Sequence, residues 1–213
     1  MQNKPGLPTS IEQFRQREII EATISTLAEE GYAGTSLAKI ARRAGIAKSA
    51  VLYHFSGKDE LLRATVRWIY GEIWGFMEPR LTGETTAGGR LRAYLESEFA
   101  FLEQHRGQLL ALSAILPNHR DAEGRLQLLE EARDVFMRVI CDIFKQGQTS
   151  GEFRAFELKP MAATLMHAVN GALEEWVKDP DLSLSAYSKE LVILFDLATR
   201  RRIPTGGLPD EQD

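Results

Sequence analysis

Along most of the chain, apolar side chains return every three or four residues, the spacing of a helix that buries one face. No run of alternating β-branched residues bounded by turns stands out as a strand, so the chain reads as all-α. A first helix is predicted over 10–30, with Ser10 as N-cap, Ile20, Ile24, Leu27 and Ala28 on one face, and Gly31 as its stop. Ser36 then caps a short second helix whose Leu37, Ile40, Ala41 and Ala44 fall at i, i+3, i+4 and i+7, and Gly45 ends it. A third helix is expected over 47–54, with Ile46, Val51 and Phe55 closing a small core. Two short helices about a glycine-containing turn have the spacing of a helix-turn-helix, a motif whose second helix enters the DNA major groove.

A longer amphipathic helix should follow over 58–77, carrying Leu61, Leu62, Thr65, Trp68, Ile69 and Phe76 and stopped by Pro79. Further helices are expected at 90–105, 108–116, 121–146, 160–178 and 184–202, punctuated by Pro117, the segment 147–151 and Asp179-Pro180. The two ends, 1–9 and 204–213, are rich in proline and glycine and poorly suited to packing.

Charge sharpens the first part of this picture. The chain carries a formal net charge of −4, but residues 1–63 sum to +2 and the remainder to −6. From Gly31 to Lys58 there are five cations, Lys39, Arg42, Arg43, Lys48 and Lys58, and no carboxylate, so a local field favourable to phosphate is expected despite an acidic whole.

Composition mainly excludes. With 44% hydrophobic and 26% charged residues in 213, the chain is of ordinary globular type, and neither disorder nor a repeat array is indicated. A single cysteine, Cys141, rules out an intramolecular disulfide and reads as a small buried hydrophobe. Without a basic, apolar leader or a run near the ~18 apolar residues of a membrane span, a cytoplasmic location with no membrane partner is expected. There is no metal-spaced His/Cys cluster, Gly-rich phosphate loop or Gly-x-Ser-x-Gly elbow, so neither an enzyme nor a cofactor or metal is indicated.

The run from Ser36 to Leu61, SLAKIARRAGIAKSAVLYHFSGKDEL, resembles the DNA-binding signature of the TetR family of bacterial repressors. The resemblance covers about residues 17–62, with the Gly31-Tyr32 turn, and extends weakly to Gly151-Glu152-Phe153-Arg154. It implies a three-helix DNA-binding domain at 10–57 and a linking fourth helix. It also implies a larger helical domain at 58–203 that binds an effector and makes a homodimer through its last two long helices.

In that frame Thr35 and Ser36 stand where a helix N-terminus meets the DNA backbone, with hydroxyls suited to phosphate, although Ser36 also fits a plain N-cap. Lys48 and Ser49, early on the reading helix, are candidates for base edges. Tyr53 and His54 are assigned to phosphates by the family pattern, and Lys58 by its charge at the start of the fourth helix. Arg42 and Arg43 read equally as solvated charges or phosphate neighbours. Leu52 replaces the family's usual tyrosine, Ala50 a hydroxyl residue and Ala38 a basic one. Ala47 and Ala50 are left as candidates to contact thymine methyls.

For the larger domain, the last two helices carry apolar faces, and Leu165, Gly171, Ala172, Trp176, Leu191, Leu194, Phe195 and Ala198 are assigned to a dimer interface, with an intrachain core as the alternative. The effector pocket is assigned to Trp68, Phe99, Leu102, Phe136, Ile140 and Met166, with His105, His167 and Asn170 as polar anchors. The function expected is a regulator, a repressor above all, that binds a palindromic operator as a homodimer and is released by a small molecule. An enzyme, or a regulator that binds a protein, using the helical C-terminal domain, is the alternative.

Overall fold

The computed structural model describes residues 10–201; the proline- and glycine-rich ends lie outside them, as does the last stretch of the expected 58–203 domain. Among the described residues there are nine helices: α1 (Ser10–Gly34), α2 (Leu37–Arg43), α3 (Lys48–His54), α4 (Lys58–Thr82), α5 (Ala87–Gln104), α6 (Arg106–Ile115), α7 (Gln127–Ser150), α8 (Leu158–Lys178) and α9 (Leu184–Thr199). An antiparallel bridge between Phe153 and Arg200 is the β feature among them. No helix of the described residues is long and apolar enough to cross a membrane.

The chain folds as two compact units. The first unit comprises the residues up to Pro79 together with Ser97–Val135. Its α1 buries Ile19, Ile20, Thr23, Ile24 and Leu27, a stripe too long for the seven-residue α2 and α3 to cover. Helix α6 covers the rest: it packs along α1, burying Leu109, Leu112 and Ile115. Gly107 faces α1 there, and a β-carbon on it would stand 4.0 Å from Ile24 Cγ2, an ordinary contact distance. Truncating a fully buried leucine such as Leu27 would cost about 2–5 kcal/mol, so α6 is integral to the head rather than an accessory.

Several element ends differ from the sequence reading, three of them with a local cause. Gly31, at φ 67°, breaks the helical backbone of α1 where its stop is expected, but one further turn runs on to Gly34. Helix α4 passes through Pro79 to Thr82; Met77 and Leu81, four residues apart, are both buried, and their burial outweighs the hydrogen bond that proline removes. Helix α7 starts at Gln127 because Asp121 organises a loop before it, its Oδ1 accepting from Glu123 N at 3.0 Å and Arg125 N at 2.8 Å.

The second unit comprises Arg80–Glu96 and the residues from Phe136 onward. Within it α8 packs on α9, and Leu165, Val169, Ala172, Leu173 and Trp176 are buried with Leu191 and Phe195. This corrects two assignments made on α8 and α9. Leu165, Ala172, Trp176, Leu191 and Phe195, expected at a dimer interface, belong to the chain's own core; Gly171 and Leu194 are exposed and Ala198 half-buried. Conversely His167 and Asn170, expected to point into a pocket, are exposed. At 100° per residue, position 167 lies about 200° around the helix from the buried Leu165, so both cannot face inward. The exposed apolar row on α9 is Ile193, Leu194 and Leu197.

The turn at 150–154 knits this unit together. Gly151 adopts φ 79°. The Glu152 carboxylate accepts from Ala87 N and Gly88 N, each at 3.1 Å, and so satisfies the open end of α5. Phe153 lies over Gly147, where a β-carbon would collide with its ring. Arg154 donates from Nε to Ala198 O at 2.7 Å.

Of the other residues assigned to a pocket, Phe99, Leu102 and Ile140 are buried core and Trp68, Phe136 and Met166 half-buried. His105 is spoken for, its Nδ1 2.8 Å from Phe101 O and its ring stacked on Phe101 at 4.1 Å. Two grooves of the second unit, one of about 420 Å³ beside Asp142 and Lys145 and one of about 390 Å³ beside Arg92 and Asp196, are lined by none of the assigned residues. Cys141 is half-buried, and burial pushes its thiol pKa up.

Candidate nucleic-acid interface

The reading head is built from α2, the turn after it, and α3. Ser36 is extended at φ −138° and its hydroxyl accepts from Lys39 N at 3.3 Å, a side-chain N-cap. Ala44 and Gly45 close α2, the latter at φ 66°, a left-handed conformation that suits glycine. Ala47 caps α3 with backbone only. Val51 and Phe55 point inward and are essentially fully buried. The outer face of α3 therefore carries Lys48, Ser49, Leu52 and Tyr53, all exposed, while Ala50 is half-buried. Tyr53 is 76% exposed and meets the half-buried His54 edge to face, ring centroids 5.0 Å apart.

Four of the expected cation and hydroxyl roles change. Thr35 is buried, with its hydroxyl donating to Gly31 O at 2.7 Å, so it stitches the α1 kink and does not present itself to a phosphate. Lys39 pairs with Glu30. Arg43 forks onto Glu29, with Nη1 to Oε1 at 2.7 Å, and this holds the Glu29 carboxyl below its ordinary range. The carboxylate-free run is thus bordered by two carboxylates that fold back onto it. Arg42, Lys48 and Ser36 are exposed, and so are available to solvent or a ligand.

Lys58 is the fourth change. Its ammonium donates to Tyr32 O at 3.2 Å and Thr35 O at 2.7 Å and sits 4.7 Å over the Tyr32 ring. Burial pulls its pKa below the usual lysine value. Its charge is spent chiefly on the turn between α1 and α2, which it locks to the start of α4. The next residue, Asp59, is held in turn by Arg63 Nε at 3.0 Å and by His119 Nε2 at 2.6 Å, the histidine being 2% exposed. The sequence reading missed this tie, because residues 60 apart leave no periodic trace and a lone histidine carries little signal.

The geometry is that of a convex, mostly polar helix face on a rigid mount, with lysine, serine and tyrosine as donors and one leucine among them. Such a face fits the width of a B-DNA major groove, which admits one α-helix.

Comparison with known proteins agrees. Residues 19–65 match the model of the family described as bacterial regulatory proteins, tetR family. Over 88 residues, 41% of this chain and 45% of the relative, the sequence is 35% identical to the HTH-type transcriptional regulator BetI of Paraburkholderia phymatum. The chain thus matches about half the length of the curated relatives it resembles. Among solved structures, the transcriptional regulator FadR of Bacillus subtilis, determined in complex with stearoyl-CoA, superimposes with a TM-score of 0.76 at 22% identity, covering 84% of this chain and 96% of that one. A TetR-family regulator of Rhodococcus sp. superimposes with a TM-score of 0.76 at 23% identity, covering 86% and 98%. At such identities these two speak to the fold.

Proposed function

We propose, from the match of residues 19–65 to the model of the tetR family, that this chain is a transcriptional regulator that binds a palindromic DNA operator as a homodimer and is released by a small-molecule effector. The observation that carries the reading is the outer face of α3, where Lys48, Ser49 and Tyr53 are exposed and Val51 behind them is fully buried. Ser36 and His54 flank it as phosphate contacts; Thr35 and Lys58 hold its mount.

Dimerisation is assigned to the exposed side of α8 and α9, where Gly171 permits close approach and Ile193, Leu194 and Leu197 supply apolar surface. Two heads about 34 Å apart then match a two-fold symmetric site. The effector is placed in the helical region after residue 58. The structural neighbour from Bacillus subtilis is a regulator determined in complex with stearoyl-CoA, which supports a small-molecule effector. Release requires that the effector bind the DNA-free form more tightly. The names of the relatives favour a regulator over an enzyme.

Selection of duplexes from random DNA with the full chain, followed by salt titration of the winner, tests the reading. A symmetric preferred site and a steep salt slope are expected; salt-dependent binding without sequence preference would overturn it. Compounds that raise the melting temperature should also weaken operator affinity.

A further inference from the structure

We propose that Leu52 reads a thymine, packing its side chain against the C5-methyl group of one thymine in each half of the DNA site. The inference rests on the DNA-binding reading above and adds a specificity-determining residue to it.

Leu52 is 43% exposed, whereas Val51 is 0% and Phe55 5% exposed. The core of the head is closed without it. An exposed leucine is unremarkable by itself; its position is what matters. It lies one turn beyond Lys48 and three residues beyond Ser49, on the same outer face and beside Tyr53. Arg42 and Lys48, exposed and outside the ion pairs that Glu29 and Glu30 make, leave positive charge on the head, so a polyanion is the occupant that the local charge favours.

Leucine has no donor or acceptor, and this restricts what it can face. In the major groove the base edges present N7, O6, O4 and the exocyclic amines, and a single apolar group, the thymine methyl. Against any other edge Leu52 would strip water from a polar atom and return no hydrogen bond. It therefore selects both by contact with thymine and by a penalty on other bases. Ala47 ends at its β-carbon, at the cap before α3, and Ala50 is half-buried; neither offers comparable apolar area.

The test uses the full chain and the duplex selected above. Each thymine is replaced singly by deoxyuridine, which keeps pairing and removes only the methyl. For the wild-type protein, one position in each half-site should lose affinity roughly fourfold, the scale of one buried methyl-sized group, and the double replacement roughly fifteenfold. In Leu52→Ala that sensitivity should vanish while the melting temperature and salt slope stay unchanged, and Leu52→Met should restore part of it. The proposal is overturned if no uracil position weakens the wild type, or if Leu52→Ala keeps the full methyl effect, which would hand the contact to Ala47 or Ala50. A protein with no sequence preference in the selection fails earlier, at the DNA-binding reading itself.

Discussion

A cation counts toward DNA binding only if its charge is not already answered within the fold, and Lys48 and Arg43 stand on opposite sides of that line. Lys48 is exposed on α3, whereas Arg43 is forked onto Glu29. Lys48→Ala is expected to weaken specific binding by about 1–3 kcal/mol and to reduce the salt slope by about one, read by titrating operator affinity against salt. Arg43→Ala should leave the slope within error. If Arg43→Ala flattens the slope as Lys48→Ala does, the pair with Glu29 opens on DNA. Lys39 and Lys58, committed to Glu30 and to the Tyr32 and Thr35 carbonyls, should behave as stabilising residues rather than as phosphate contacts.

Helix ends and helix crossings carry the next set of consequences. Glu152 is partly buried, which alone would raise its pKa, but hydrogen bonds from Gly88 N, Ala87 N and Ser150 more than offset this and hold the carboxyl below its usual range. A folded-state value below the unfolded one stabilises fully above the ordinary glutamate value of about 4.3 and fades as pH falls through the folded value. Glu152→Gln should therefore lower stability by about 1 kcal/mol at neutral pH, on the scale of a lost helix cap. Thermal melts from pH 7 to 3 should show the gap from wild type closing only below that value. Gly147 and Gly71 make a matched contrast. A β-carbon on Gly147 collides with the Phe153 ring, while around Gly71, exposed on α4, there is nothing within 4 Å. Gly147→Ala should lose about 1–3 kcal/mol or more by overpacking, and Gly71→Ala should gain about 0.5–1 kcal/mol from helix propensity. Denaturant midpoints of the two variants check both signs.

For the whole molecule, the outside of α8 and α9 is the face to which dimerisation is assigned. Ile193, Leu194 and Leu197 are 52%, 54% and 64% exposed, a row at helical spacing on one element. If two copies meet there, the double variant Ile193→Glu with Leu194→Glu should halve the mass seen by light scattering while leaving the helical circular dichroism intact, since neither residue belongs to the core. Operator affinity should fall with it, because linked heads bind a two-fold site far more tightly than separate ones. A dimer that survives both charges would move the interface elsewhere.

Much of this protein was legible without coordinates. The helices, the cap at Ser36, the glycine turn at Gly45 and the inward Ile40 and Val51 all follow from interactions between residues up to seven apart, which a linear text preserves. The outward face of α3 follows from the same periodicity. What sequence spacing could not settle is which neighbour each face meets. Both sides of α8 carry plausible residues, and only the packing of α9 on it turned Leu165 and Trp176 inward and left His167 and Asn170 outside. Glu29 and Glu30 became partners of Arg43 and Lys39, and His119 of Asp59, through chain crossings 9 to 60 residues apart. Helix periodicity is a property of the backbone, but burial and ion pairing belong to whichever surfaces tertiary contact brings together.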